Sequence, residues 1–117
     1  MLNLPTQARI YLCATPVDLR KGFDGLSGLV ESVFERNVLD GHLFLFLNKR
    51  GDRIKALWWD HDGLIIWYKR LERGCFERPA VQGDEKQVTL DATELAMLLG
   101  GVSLGSVKRR KRFSLAS

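Results

Sequence analysis

Asp60-His61-Asp62 brings two carboxylates and an imidazole together within three residues of a 117-residue chain. With Glu72 or Lys69 nearby, such a set could hold a divalent cation and activate water, the chemistry of a small metal-dependent nuclease. The same three residues followed by Gly63 are also what a hairpin turn is made of, because Asp bonds its own backbone and Gly takes positive φ. The turn is the simpler reading, so neither a metal site nor a cofactor is expected. His42 is the only other histidine, and no Ser or Cys has a partner at a spacing that would make a triad. No glycine-rich phosphate loop of either common pattern occurs. Cys13 and Cys75 are far apart and lack a CxxC spacing, and they read as reduced, small core residues.

What remains for chemistry is positive charge. Lys and Arg number 18 against 14 Asp and Glu, a formal net charge of +4. Five of those bases are consecutive, Lys108, Arg109, Arg110, Lys111 and Arg112, and the rest of the chain holds 13 bases against 14 acids. The body is neutral and the tail basic. Such a run neutralises phosphates without reading sequence, and a merely solubilising tail is its alternative.

Register supplies a second cationic candidate. If Gly51 and Asp52 are the turn of a two-residue hairpin, Arg50 lies opposite Arg53, Asn48 opposite Lys55 and Phe46 opposite Leu57. If Asp60 to Gly63 form the next turn, Lys55 faces Tyr68 and Arg53 faces Arg70. Arg50, Arg53, Lys55 and Arg70 then surround Asn48 and Tyr68 on one sheet face, with Lys49, Leu47, Leu45, Ile54, Ala56 and Trp58 on the other. Like charges opposite one another are unfavourable in a sheet, a cost that a bound phosphate relieves. A solvated face neutralised by Asp52 and Glu72 is the alternative. Among the aromatics Trp58, Trp59, Trp67 and Tyr68, only Tyr68 is expected on the cationic side, where a base can stack.

These side chains need a sheet to hold them. Arg9–Val17, Leu43–Lys49, Arg53–Trp59 and Leu64–Arg70 read as strands, the last three as an antiparallel meander. Cys75–Arg78 and Lys86–Leu90 are candidate edge strands. Phe23, Leu26, Leu29, Val30, Val33 and Phe34 recur at helical spacing, which predicts an amphipathic helix from Gly22 to Arg36. Gly25 and Gly28 within it suggest close packing on the sheet. A second helix starts at Asp91 with Glu94 as its capping-box partner, Leu90 and Leu95 as a staple, and Gly100-Gly101 as its stop. The expectation is one α+β domain over residues 1–104, an antiparallel sheet of about four to six strands with two amphipathic helices. Residues 105–117 form a basic tail. No run of about 18 apolar residues occurs and nothing resembles a signal peptide, so a cytoplasmic protein is expected.

The run Asp18-Leu19-Arg20-Lys21-Gly22-Phe23-Asp24-Gly25-Leu26 carries a resemblance. So do Gly41-His42-Leu43-Phe44, Arg50-Gly51-Asp52-Arg53-Ile54-Lys55, Trp59-Asp60, Asp62-Gly63-Leu64 and Tyr68-Lys69-Arg70-Leu71-Glu72-Arg73-Gly74. Together, in this order, they resemble the accessory protein encoded by the second reading frame of insertion-sequence-66-type transposons, often labelled TnpB. After the second helix the chain departs, with Gly101-Val102-Ser103-Leu104 where the family commonly has an acidic and then an aromatic residue. The resemblance implies a non-catalytic protein that assists DNA transposition, strand chemistry belonging to a separate transposase. It supplies no catalytic residues. Its motifs include Asp18, Arg20, Lys21, Arg50, Arg53, Lys55, Lys69, Arg70 and Arg73, which overlap the patch deduced from register.

The expected partners are DNA at transposon ends or target, the transposase and the element's other accessory protein, and not a membrane. Arg50, Arg53, Lys55, Tyr68, Lys69, Arg70, Arg73 and Lys108–Arg112 are expected to meet DNA, and Asp18, Arg20 and Lys21 a partner. The alternatives are an adaptor that docks on the transposase with little DNA contact and, less favoured, the small nuclease.

Overall fold

Leu43–Leu47 is five consecutive apolar residues, and a strand of that composition is stable only where both its faces are covered. In the computed structural model, which describes residues 7–81 and 83–100, this segment is β2 and all five side chains are 0% exposed. It is the central strand of five. The others are β1 (Ile10–Cys13), β3 (Arg53–Asp60), β4 (Gly63–Arg70) and β5 (Gln87–Leu90), in the order β4-β3-β2-β1-β5. Helix α1 (Phe23–Ser32) covers one face and α2 (Ala92–Gly100) the other. The architecture is α+β, as expected.

Strand alternation sorts the core into two layers. Tyr11, Phe44, Phe46 and Leu57 point to α1 and meet Leu26, Val30 and Phe34. Leu12, Leu45, Leu47, Ile54, Ala56 and Trp58 point the other way and meet Phe76, Leu90 and Leu98. The sheet is mostly antiparallel, with one departure from the expected meander: β1 pairs parallel with β2, Ile10 opposite Leu43. The cause is α1, which lifts the chain over the face and returns it beside β1 in the same direction, as a βαβ crossover does.

Other expectations need correction. Helix α1 stops at Ser32, four residues short of Arg36, and Glu35 sits at φ 54°. Phe34 still reaches the core at 3% exposure from the unwinding turn. Gly28 has open space where its Cβ would be, and the close neighbour of Gly25 is the Lys21 side chain at 3.0 Å, so neither glycine marks helix-to-sheet packing. Cys75–Arg78 is not a strand. The Phe76 N–H donates to the Gly51 carbonyl at 2.7 Å and the Cys75 thiol to the Arg50 carbonyl at 3.0 Å, so this segment spends its polar groups on a turn. Cys75 is exposed, unlike buried Cys13, and both are free thiols.

Both hairpins bear on the site. The second has the expected register, Arg53 opposite Arg70 and Lys55 opposite Tyr68. Its strands run through to Asp60 and Gly63, leaving His61 and Asp62 as the turn, and His61, not Gly63, takes the positive φ of 63°. The first hairpin is shifted by two residues: Phe46, not Asn48, pairs with Lys55, and Leu47 with Ile54. Its turn is Lys49-Arg50-Gly51-Asp52, because Asn48 closes it from the side. The Asn48 carbonyl accepts from the Gly51 N–H at 3.1 Å, its side-chain oxygen accepts from the Arg53 N–H at 3.0 Å, and its amide donates to the Asp52 carboxylate at 2.7 Å. Gly51 holds φ 77° there with the Cys75 side chain against it, a position that penalises any residue with a Cβ.

Candidate nucleic-acid interface

A shift of two residues keeps every side chain on its expected face, since strand faces alternate with period two. Arg53, Lys55, Tyr68 and Arg70 therefore do share one face, the α1 face. That face is not an open cationic surface. Most of it is Phe44, Phe46, Leu57, Leu64 and Ile66 packed under α1, and the cations occupy only the end that the helix leaves bare. Arg50 is not opposite Arg53 but in the turn, where it is exposed.

At that end the side chains lock together. The Arg53 guanidinium donates to the Tyr68 hydroxyl at 3.2 Å. The Lys55 ammonium lies 4.9 Å from the centre of the Tyr68 ring and donates to the Lys21 carbonyl at 2.9 Å, pinning the segment before α1 to the sheet. Tyr68 remains 47% exposed. Arg70 pairs with Glu72 at 3.0 Å, which raises its pKa and leaves both groups more than half exposed.

The segment ahead of α1 returns to this same place. The Val17 N–H donates to the Leu47 carbonyl at 2.8 Å, and Val17 and Leu19 are buried, so Asp18 and Arg20 between and after them point outward. Asp18 accepts from the Arg20 guanidinium through both carboxylate oxygens at 2.7–3.0 Å, and from the Arg20 N–H at 3.0 Å. These bonds to Arg20 hold the Asp18 pKa at about 2 against an ordinary 3.8, so the pair stays ionised at any physiological pH.

Between this segment and the first turn lies an open groove of about 580 Å³. Its polar lining is Asp18, Arg20, Asn48, Lys49, Arg50, Asp52 and Arg53, with Tyr68 at one wall. Four cations face two carboxylates, both already engaged: Asp18 by Arg20, and Asp52 by Asn48, whose bond is the main cause of its lowered pKa. The groove thus joins the Asp18 motif to the sheet patch, two sets that have no sequence proximity. Lys49, which the register put on the apolar face, joins the groove instead because it lies in the turn, and the sequence signal for the turn-closing role of Asn48 is its place three residues ahead of Gly51.

Other expected residues lie elsewhere. Lys69 is on the α2 face and donates to the Leu99 carbonyl at 3.2 Å, closing the end of that helix. Arg73 is exposed in the loop after β4. Arg78, not singled out from sequence, donates to the Asn48 carbonyl and braces the first turn from behind. The Lys108–Arg112 run lies outside the described residues. Among the described residues no three His, Cys, Asp or Glu side chains come together as a metal-ion site, and Asp60, His61 and Asp62 sit at the opposite end of the hairpin from Glu72. No helix among them is long and apolar enough to cross a membrane.

A sheet covered by a helix on each face, with cations gathered at one uncovered end, defines a small α+β protein whose polar site is an open groove. The chain belongs to the family described as IS66 Orf2-like proteins, whose sequence profile matches residues 8–109. This is the family of transposon accessory proteins that the sequence motifs resemble. Two uncharacterized proteins of Sinorhizobium fredii, y4hO and y4jC, are similar to it, 33% and 35% identical over 102 residues. The matches span 87% of this chain and 87% and 86% of those proteins. No solved structure gives a significant match.

Proposed function

We propose that this chain assists DNA transposition without cutting DNA, by holding the phosphate backbone in the groove between the Asp18 segment and the first hairpin turn. The observation that carries the reading is the gathering of Arg20, Lys49, Arg50 and Arg53 around one open groove in a body whose overall charge is near zero. Concentrated charge on a neutral body is what a local anion site requires, whereas scattered charge would only raise solubility. Tyr68, half exposed and clamped between Arg53 and Lys55, offers a ring face against sugar or an unpaired base. The Lys108–Arg112 run adds a sequence-independent anchor, and the transposase supplies the chemistry.

Fluorescence anisotropy with a short labelled duplex tests this. Arg50→Glu with Arg53→Glu is expected to weaken binding at least tenfold and to flatten the dependence of log K on log salt by about 2, one for each phosphate that the two arginines neutralise. Unchanged affinity and slope would reject the groove. Phe23, 49% exposed at the start of α1, favours a second reading in which the same region docks on the transposase. Capture of the transposase that survives high salt, together with DNA binding indifferent to both substitutions, would favour that reading.

A further inference from the structure

β4 ends the sheet on the side away from β5, and no strand among the described residues lies beyond it. Its residues Leu64, Ile65, Ile66 and Trp67 are each partly exposed, although they point alternately to both faces. The strand runs eight residues in unbroken register, contains no Pro, and has no charged side chain before Lys69. Edge strands are normally blunted by an early charge, a Pro or a bulge, because a bare edge offers a row of backbone donors and acceptors to any other strand. This edge has none of those protections.

We propose that the edge is covered by β4 of a second copy of this chain, antiparallel about a two-fold axis at Ile66, so that two five-stranded sheets become one of ten. Hairpin geometry sets which groups are available. The two-residue turn closes on Asp60 and Gly63, so Gly63, Ile65, Trp67 and Lys69 direct their N–H and C=O groups to β3. Leu64, Ile66, Tyr68 and Arg70 direct theirs outward. With Ile66 opposite Ile66 of the second copy, Leu64 meets Tyr68 through outward backbone groups, and beyond them the Asp62 side chain in the turn meets Arg70, since the Asp62 N–H is already given to the Asp60 carbonyl.

Charge selects this direction. The hairpin is acidic where β4 begins, at Asp60 and Asp62, and basic where β4 ends, at Lys69 and Arg70. Antiparallel pairing sets acid against base at both ends, and parallel pairing sets like against like. Arg70 already pairs with Glu72, but both are exposed and the guanidinium has donors left for a second carboxylate. Matching residues of equal parity keeps both α1 faces on the same side, so the two grooves open in one direction. The pairing does not rest on the DNA reading.

Sedimentation equilibrium and residue-resolved amide exchange on the full chain test it. The expected result is a dimer in which the amides of Leu64, Ile66 and Tyr68 exchange slowly and are protected more strongly as protein concentration rises. In a monomer those three exchange fast while Ile65 and Trp67 stay protected. Asp62→Lys, in an exposed turn that leaves the core intact, is expected to weaken the dimer by about threefold to tenfold, and Asp62→Arg with Arg70→Asp to restore it. A monomer up to ~0.1 mM overturns the proposal and leaves the edge to a strand from another protein. A dimer with fast exchange at Leu64, Ile66 and Tyr68 overturns it equally.

Discussion

His42 shows how one side chain converts composition into a testable dependence on pH. Its Nδ1 accepts the Arg9 N–H at 3.0 Å, tying the approach to β1 to the start of β2, and its ring meets Tyr11 edge-on at 5.7 Å between centroids. Accepting that bond requires a neutral imidazole with the lone pair on Nδ1. Burial is the main cause that pushes its pKa below the ordinary 6.5, and the Arg36 and Arg9 charges act in the same direction while Asp40 opposes them. With the folded value below the unfolded one, the stability linked to His42 is present above pH 6.5 and is lost as pH falls through the folded value. Denaturant midpoints are therefore expected to drop as pH falls below the ordinary 6.5, and His42→Phe to be less stable at neutral pH but flatter as pH falls. An equally steep drop in the variant would assign the dependence to another group. The site residues were legible to different depths for a related reason. Tyr68 and Arg53 could be placed by alternation alone, whereas the role of Lys69 depended on which helix end its long side chain could reach.

Helix α2 is the element whose origin is plainest in the sequence. The Glu94 N–H donates to the Asp91 carboxylate at 2.7 Å and the Asp91 N–H to the Glu94 carboxylate at 3.0 Å, the reciprocal pair that the Asp-x-x-Glu spacing predicts. Lys69 satisfies the Leu99 carbonyl at the far end. The helix has nine residues and only Leu98 fully buried, so its caps make up a large share of what keeps it folded. Asp91→Ala is expected to cost about 1 kcal/mol, read as a thermal midpoint lower by roughly 4–8 °C; an unchanged midpoint would show that packing alone holds the helix. Capping is legible because its donors and acceptors lie within four residues. The first hairpin is obscure for the opposite reason. Gly51-Asp52 has the chemistry of a two-residue turn, but the side chain of Asn48 and the braces from Cys75, Phe76 and Arg78 favour four, and those braces come from a segment far along the chain. The parallel pairing of β1 with β2 is hidden likewise, since direction depends on the route of α1 over the sheet and not on strand composition.

At the scale of the molecule, the proposed DNA contact has two sets of cations to draw on, the groove and the basic run. The groove residues from Asp18 to Arg53 lie well inside the family match, which ends at residue 109, within the basic run. A function shared with the family is therefore better carried by the groove than by five bases of which three lie past that match. The tail still outweighs the groove electrostatically, because the rest of the chain has 13 bases against 14 acids. A salt titration separates the two contributions. Replacing Lys108, Arg109, Arg110, Lys111 and Arg112 by Gln leaves up to five phosphates without a counter-charge and is expected to flatten the slope of log K against log salt by as much as about 4 to 5. Affinity should fall steeply, yet a residual slope of about −2 should remain. Arg50→Glu with Arg53→Glu in that background should then abolish it. If the tail substitutions alone remove all salt dependence, the groove holds no phosphate and its cations face a protein partner instead. If they change nothing, the tail is a bystander and binding belongs to the folded body, where a paired β4 edge would double it by presenting two grooves on one side of a continuous sheet.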